Sequence, residues 1–232
     1  MPGILYGVGV GPGDPELMTL KAVRLIQEAD VVALPGRVPR ETLAYQIAAQ
    51  AVPELAEKEL AAVYMPMIRD REALARNHME GACTLEAYLS QGKNVVFLTL
   101  GDPTIYSTFT YLQSIVADHG YPTALVNGVP SFCAAAARLN LPLAEWDEPL
   151  HILPAVHCLD STLSAPGNYV LMKLGKMMPQ IKEILAQSGR SAAMVENCGM
   201  EEERVCRTVE EIPGSAGYFS LIIAKEQKEI LI

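Results

Sequence analysis

Val95-Val96-Phe97-Leu98-Thr99-Leu100 is the clearest β segment in the chain, and it breaks at Gly101-Asp102-Pro103 ahead of a helix from about 107 to 119. A short, continuous apolar run stopped by turn residues and followed by a helical pattern is the unit of an α/β fold. The same grammar recurs. Residues 4–10 read as a buried strand, and Gly11-Pro12-Gly13-Asp14-Pro15 forces a turn, because proline fixes φ and glycine admits positive φ. Thr19 stands as N-cap for a helix over 20–28. Further strands are expected at 31–34, 62–65, 124–126, 152–153, 169–172, 192–195 and 218–224. Further helices are expected at 41–50, 70–91 (closed by Gly92), 131–139 and 179–187. The alternation predicts α/β architecture with substantially parallel sheet.

The chain has 232 residues, half of them hydrophobic, which is material for one large or two modest cores. Gly120 to Pro122 is the candidate linker, dividing an N-terminal α/β domain, 1–120, from a C-terminal one, 121–232. The formal net charge is −9. With no cluster of lysine and arginine, a nucleic-acid partner is not expected, and an anionic ligand would need a local basic pocket. No apolar run reaches membrane-spanning length, and the N-terminus has neither a basic region nor a cleavage site. A cytoplasmic protein is therefore expected, without a membrane partner. The five cysteines, Cys83, Cys133, Cys158, Cys198 and Cys206, are widely spaced and read as buried, reduced thiols. Cys158 lies beside His157 and near His151, but two ligand types do not close a metal site, and none is expected.

Three strand-to-helix mouths carry the candidate chemistry. The first, Gly7-Val8-Gly9-Val10-Gly11-Pro12-Gly13, would let a ligand approach the backbone. As a dinucleotide fingerprint it is poor: Pro12 replaces the third glycine, and Leu34-Pro35 stand where an acidic ribose partner belongs. Taken alone it is no more than a tight turn. In the second, 99–108, Asp102 offers a carboxylate at the strand end, Pro103 stiffens the turn, and Tyr106, Ser107 and Thr108 add hydroxyls. On these residues alone, Asp102 and Ser107 are as readily turn and cap residues as ligand contacts. The third, Asn127-Gly128-Val129-Pro130-Ser131-Phe132, opens a helix whose small residues, Ala134 to Ala137, permit close packing. Together the three mouths point to one cleft for a nucleoside-like ligand.

Gly9-Val10-Gly11-Pro12-Gly13-Asp14-Pro15-Glu16-Leu17-Met18-Thr19-Leu20-Lys21-Ala22 resembles the opening motif of the tetrapyrrole (corrin and porphyrin) methylases. Ala29-Asp30-Val31-Val32 continues the likeness. Gly101-Asp102-Pro103 is similar to that family's second motif and Gly128-Val129-Pro130-Ser131-Phe132 to its third. Val170-Leu171-Met172-Lys173 and Glu196-Asn197 extend the match over nearly the whole chain. Gly101-Asp102-Pro103-Thr104-Ile105-Tyr106-Ser107-Thr108, with Met65-Pro66-Met67 and Tyr111-Leu112, looks like the branch that methylates precorrin-2 at C-20. Asn127 and Pro130 depart from the family's usual proline and its usual serine or threonine.

The resemblance implies two α/β domains with a cofactor cleft between them, usually in a homodimer. It implies S-adenosylmethionine as methyl donor, S-adenosylhomocysteine as product, and precorrin-2 or its cobalt form as tetrapyrrole substrate in cobalamin biosynthesis. The substrate would be taken on the N-terminal side. Carried over by position, the cofactor contacts are Pro12, Gly101, Asp102, Ile105, Tyr106, Ser131, Phe132, Met172, Cys198 and Ser220. Tyr106 or Asp102 would orient the reactants near the transferred methyl group. Arg37, Arg40, Arg69 and Lys173 are candidate partners for substrate carboxylates. The competing readings are a methylase of another corrin position, a diphthine synthase, a nicotinamide-dependent oxidoreductase and a non-catalytic binding module.

Overall fold

A computed structural model describes residues 1–68, 70–154 and 163–226. The chain divides into two compact units, Met1–Pro130 and Ser131–Ile232.

The first unit is built on five strands: β1 (Leu5–Gly9), β2 (Val31–Pro35), β3 (Glu59–Val63), β4 (Val95–Thr99) and β5 (Thr123–Val126). Their order is β3-β2-β4-β1-β5, and every pairing is parallel. Helices α1 (Leu20–Glu28) and α2 (Leu43–Ala51) cover one face. There Ala22, Ile26, Ile47 and Ala48 bury Val8, Val32, Leu34, Val96 and Leu98. Helices α3 (Arg71–Leu89) and α4 (Phe109–Asp118) cover the other, where Ala82, Leu85, Leu112 and Val116 meet Leu5, Val31, Ala33, Val95 and Phe97. Because both faces are buried, successive residues of β2 and the first four of β4 are apolar, and this is why those segments are continuous hydrophobic runs.

The connections after β1 and β4 leave toward opposite faces of the sheet. β1 and β4 are neighbours, so the crevice beyond their carboxyl ends is the topological switch point of the sheet, where open α/β sheets bind ligands. The helix ends are locally determined. The Thr19 hydroxyl accepts from Ala22 N at 3.2 Å. The Asp70 carboxylate accepts from Glu72 N and Ala73 N at 3.0 and 3.1 Å, capping the long helix α3. Asp70→Ala should therefore lower stability by about 1 kcal/mol, read as a melting-temperature drop of about 2–4 °C; an unchanged melting curve would show that the cap is dispensable.

The second unit begins with α5 (Ser131–Leu139), which lies against the central strand β10 (Ser220–Lys225). Its sheet has the order β6-β7-β10-β8-β9, with β6 (Leu150–Pro154), β7 (Asn168–Met172), β8 (Ser191–Glu196) and β9 (Arg204–Cys206). Helix α6 (Met178–Ser188) packs Met178, Ile181 and Leu185 on Tyr169, Leu171, Met194 and Ile222.

Several expectations are corrected here. Only β6 and β7 pair in parallel in this sheet; β7–β10, β10–β8 and β8–β9 are antiparallel. The link after β8, residues 197–203, is too short for a crossover, so β9 returns antiparallel to it. β9 was not expected at all. β3 starts at Glu59, three residues before the expected segment, and the last strand starts at Ser220, leaving Tyr218 and Phe219 exposed. The first unit runs past the Gly120–Pro122 stretch, because β5 pairs with β1 and completes the first sheet. Cys83 and Cys133 are exposed and Cys198 is half-buried, so among the described cysteines only Cys206 fits the expected buried thiol. Burial pushes the Cys206 thiol pKa up. Cys158 and His157 lie outside the described residues. Among the described residues no helix is long and apolar enough to cross a membrane.

Candidate functional site

The three expected mouths of the first unit meet at their backbones. Gly11 and Gly101 form an isolated bridge, with Gly101 N donating to Gly11 O at 2.8 Å and Gly11 N to Gly101 O at 3.3 Å. The Gly101 carbonyl also faces Gly9 and Gly128. A Cβ on Gly9 would lie 2.4 Å from that oxygen, and a Cβ on Gly128 would lie 2.1 Å from it. Both contacts are far inside van der Waals distance, so the ends of β1, β4 and β5 can close only on bare backbone.

Asp102 ties this closure together. Its side chain is buried. Oδ1 accepts from Thr104 N at 2.8 Å and from the Thr104 hydroxyl. Oδ2 accepts from Asn127 Nδ2 and from Gly128 N, each at 3.1 Å. Burial alone pushes this carboxyl pKa up, but the hydrogen bonds from Thr104, Asn127 and Gly128 outweigh it, and the group is held below the ordinary carboxylate value. A carboxylate so placed is ionised at neutral pH and a weak base. Its four acceptor positions go to the second and third loops, so it acts as the fastener between them.

Asn127 does more than sequence reasoning assigned to it. Besides its bond to Asp102, its carbonyl accepts from the Thr19 hydroxyl at 3.3 Å, joining the third loop to the start of α1. The departure from the family's proline thus supplies a side-chain donor. Thr104 was also missed. Its signal was an Asp-x-Thr spacing beside a proline turn, where a hydroxyl two residues on can meet the carboxylate.

Beyond the fastener, Ser107 Oγ meets Thr99 Oγ1 at 3.0 Å and accepts from Phe109 N at 3.2 Å, fixing the entry to α4. Between these anchors Tyr106 sits at φ 50 with 49% of its surface exposed. A left-handed tyrosine costs about 1 kcal/mol, and such residues gather at functional sites. Ile105 N bonds Asp102 O at 3.2 Å, closing the turn that presents Tyr106.

The first mouth does not form a diphosphate cradle. Gly11 N is spent on Gly101 O, Pro12 and Pro15 lack N–H groups, and a 3-10 turn, Pro15–Leu17, separates the glycines from α1. A pyrophosphate needs free N–H groups at a helix start. The residues present, with main-chain polar groups and hydroxyls but no cation at the switch point, fit a nucleoside without phosphates.

In the second unit, Met172, Cys198 and Ser220 collect at one sheet edge. β10 starts where β7 and β8 end, with Leu221 opposite Met172 and Ser220 opposite Glu196. Asn197 N donates to Phe219 O at 3.0 Å, holding the Cys198 loop beside the start of β10. Ser220 is buried and gives its hydroxyl to Gly217 O at 2.7 Å. Lys173 and Asn197 both take positive φ, 58 and 53, at the ends of β7 and β8. Ser131 and Phe132 open α5, with Phe132 buried.

A sequence model of the tetrapyrrole (corrin/porphyrin) methylases matches residues 4–213. The chain belongs to this family. A probable cobalt-precorrin-2 C(20)-methyltransferase of Methanocaldococcus jannaschii is 34% identical to this tetrapyrrole methylase, over 87% of this chain and 85% of the relative. A precorrin-2 C(20)-methyltransferase of a Sinorhizobium species is 30% identical, over 98% of this chain and 97% of the relative. Among solved structures, the uroporphyrin-III C-methyltransferase of Thermus thermophilus complexed with S-adenosylhomocysteine superposes with a TM-score of 0.68. It is 26% identical and covers 97% of this chain and 98% of its own.

The candidate carboxylate partners separate in this methylase. Arg40 is committed to structure, giving Nη1 to the Tyr45 hydroxyl at 2.6 Å and Nη2 to Ala56 O at 2.7 Å. Arg37 is exposed and stacks on the Tyr64 ring, with Cζ 4.0 Å from the centroid. Lys173 belongs to the second unit, and Arg69 lies outside the described residues.

Proposed function

We propose that this tetrapyrrole methylase transfers a methyl group from S-adenosylmethionine to C-20 of precorrin-2 or its cobalt form, in the cytoplasm and as a homodimer. The observation that carries the reading is the Gly9–Gly101–Gly128 closure fastened by Asp102 at the switch point. It is a rigid, phosphate-free mouth of the kind a nucleoside sulfonium needs. The two C-20 methyltransferases that match nearly the whole chain supply the ring position.

When bound, S-adenosylmethionine supplies an electrophilic sulfonium methyl. The protein's task is then to hold reactants in line and exclude water. Pro12, Gly101, Asp102, Ile105 and Tyr106 from the first unit are the proposed cofactor contacts, with Ser131, Phe132, Met172, Cys198 and Ser220 from the second. Asp102 contributes through its loop, since its carboxylate is engaged with Thr104, Asn127 and Gly128. That leaves Tyr106, presented by its left-handed backbone, as the side chain that orients the reactants.

The test is methyl transfer from labelled S-adenosylmethionine to precorrin-2 and its cobalt form in parallel, with the label located by NMR. Label at C-20 is expected, and preference for one substrate assigns the metal state. Label elsewhere on the ring, or tight cofactor binding with no transfer to either substrate, would overturn the reading. Tyr106→Phe should lower kcat about tenfold, the worth of one oriented hydrogen bond, with cofactor affinity kept. Normal turnover in that variant would remove the hydroxyl from the mechanism.

A further inference from the structure

Arg37 differs from several other cations of the first unit. Arg40 is spent on Tyr45 and Ala56, Lys58 on the carbonyls of Gln27 and Ala29, and Lys93 on Glu59. Arg37 is exposed, and among the described residues it meets no carboxylate. It stacks on the face of Tyr64. That arrangement is set by the sheet. Pro35 at the end of β2 is in register with Val63 at the end of β3, and Gly36 N donates to Val63 O at 2.8 Å, so the residues that follow emerge side by side. Stacking uses the face of the guanidinium and leaves its N–H edge free, in the planar fork that suits a carboxylate.

Arg37 and Tyr64 leave the same sheet edge as Gly101 and Tyr106, because all five strands are parallel. From β3 across β2 and β4 to β1 is three strand spacings, roughly 15 Å. Beyond this edge and on α3 and α4 the exposed side chains include Tyr64, Met67, Ile68, Met79, Tyr106 and Tyr111, beside the charged Asp70, Arg71, Glu72 and Arg76 at the start of α3. A concentration of exposed apolar groups marks a binding surface. A flat macrocycle with apolar faces and a rim of carboxylates is the ligand that matches an apolar shelf with a cation beside it. The cation matters more because the chain carries a net charge of −9, so a polyanion must be drawn locally.

We infer that Arg37, braced on the Tyr64 ring, is the residue that anchors a peripheral carboxylate of the tetrapyrrole substrate. The inference rests on the tetrapyrrole reading above and names the part of the first unit that recognises the substrate's acid rim. Tyr64 is a positioning residue that holds the guanidinium edge outward.

The test measures equilibrium binding of an octacarboxylate porphyrin by fluorescence, together with substrate KM in the labelled-methyl assay. Arg37→Ala should weaken octacarboxylate binding and raise tetrapyrrole KM about tenfold, the lower end for a charge-assisted hydrogen bond. Affinity for S-adenosylmethionine and the melting temperature should not move. Arg37→Lys, which keeps the charge without the fork, should recover part of the loss. Tyr64→Ala should weaken binding about threefold, and Tyr64→Phe, which keeps the ring, by less. A water-soluble porphyrin with cationic side chains should bind no worse to Arg37→Ala than to the wild type. Octacarboxylate affinity within twofold of wild type in Arg37→Ala overturns the anchor, as does equal loss for the cationic porphyrin. If neither form of precorrin-2 is methylated but octacarboxylate binding depends on Arg37, the C-20 reading falls and the anchor stands. If the wild type binds no tetrapyrrole acid, the anchor falls with it.

Discussion

Asp102→Ala is expected to lower kcat/KM by about a thousandfold and stability by about 3 kcal/mol. The substitution removes the acceptor for Gly128 N, Asn127 Nδ2 and Thr104 N at once. A buried donor left unpaired costs about 1–3 kcal/mol. Water can reach part of this site and the Thr104 hydroxyl can turn elsewhere, so the total should fall well below the sum. The larger effect is on activity. Loosening the second and third loops displaces Ile105 and Tyr106, and a shift of about 1 Å in a positioned group can cost about a hundredfold, with weakened cofactor binding adding to it.

Asp102→Asn separates charge from shape. One amide oxygen can serve one pair of donors, but the NH2 then confronts the other pair. The Thr104 side is cheaper to lose, because a hydroxyl can reverse its role, although Thr104 N stays unpaired. We expect a cost of about 1–2 kcal/mol and activity between alanine and wild type. Acid titration gives a second readout. The folded-state pKa of Asp102 lies below its unfolded value, so its contribution is fully present above the unfolded pKa, near 4. It is lost as pH falls through the lower folded value. Wild type should therefore lose more stability between about pH 5 and pH 2 than Asp102→Asn does. Alanine activity within threefold of wild type, or parallel acid titrations, would refute the fastener.

The first unit was legible because each strand is buried on both faces. Residues 31–34 and 95–98 announce themselves as continuous apolar runs, and the Thr19 cap set the start of α1 to the residue. The second unit was less legible for a specific reason. Its strands are joined partly by helices and partly by irregular loops, so periodicity identified β7, β8 and β10 but did not give their directions. The shortness of the link between Glu196 and Arg204 was the available clue, since no parallel return fits in it. At the site, the glycines and Asp102 were visible as types, but their partners were not. That Asp102 reaches Asn127 and Gly128, 25 and 26 residues away, depends on β1, β4 and β5 lying side by side. The separation of Arg37 from Arg40 has the same origin. Three residues apart, they are alike in sequence, and only the position of Tyr45 and Ala56 commits one of them to structure.

Gly128→Ala should produce a large structural effect at the three mouths from a single added methyl group. The new Cβ would sit 2.1 Å from Gly101 O, 2.9 Å from Gly9 C and 3.0 Å from Gly9 Cα. All three atoms are backbone, so no side-chain rotation relieves the contact, and the ends of three strands must move apart. Overpacking of a well-packed core costs about 1–3 kcal/mol, occasionally more, and a wedge between backbones belongs at the upper end. A melting-temperature drop of about 6–12 °C follows for a chain of this size. S-adenosylmethionine binding, measured by calorimetry, should weaken by more than a hundredfold, because the displaced atoms are the mouth itself. Gly214→Ala is the matched control: a Cβ there meets nothing within 4 Å, and it should melt with the wild type. Gly9→Ala tests whether the closure is one object. Its Cβ would press on the same Gly101 carbonyl at 2.4 Å, so once that oxygen has been displaced by the first methyl, the second should cost less. The double variant should fall short of the summed single losses by at least about 1 kcal/mol. Strict additivity would mean that the two glycines yield to their methyl groups independently, and the three mouths would then be separate turns rather than one closed site.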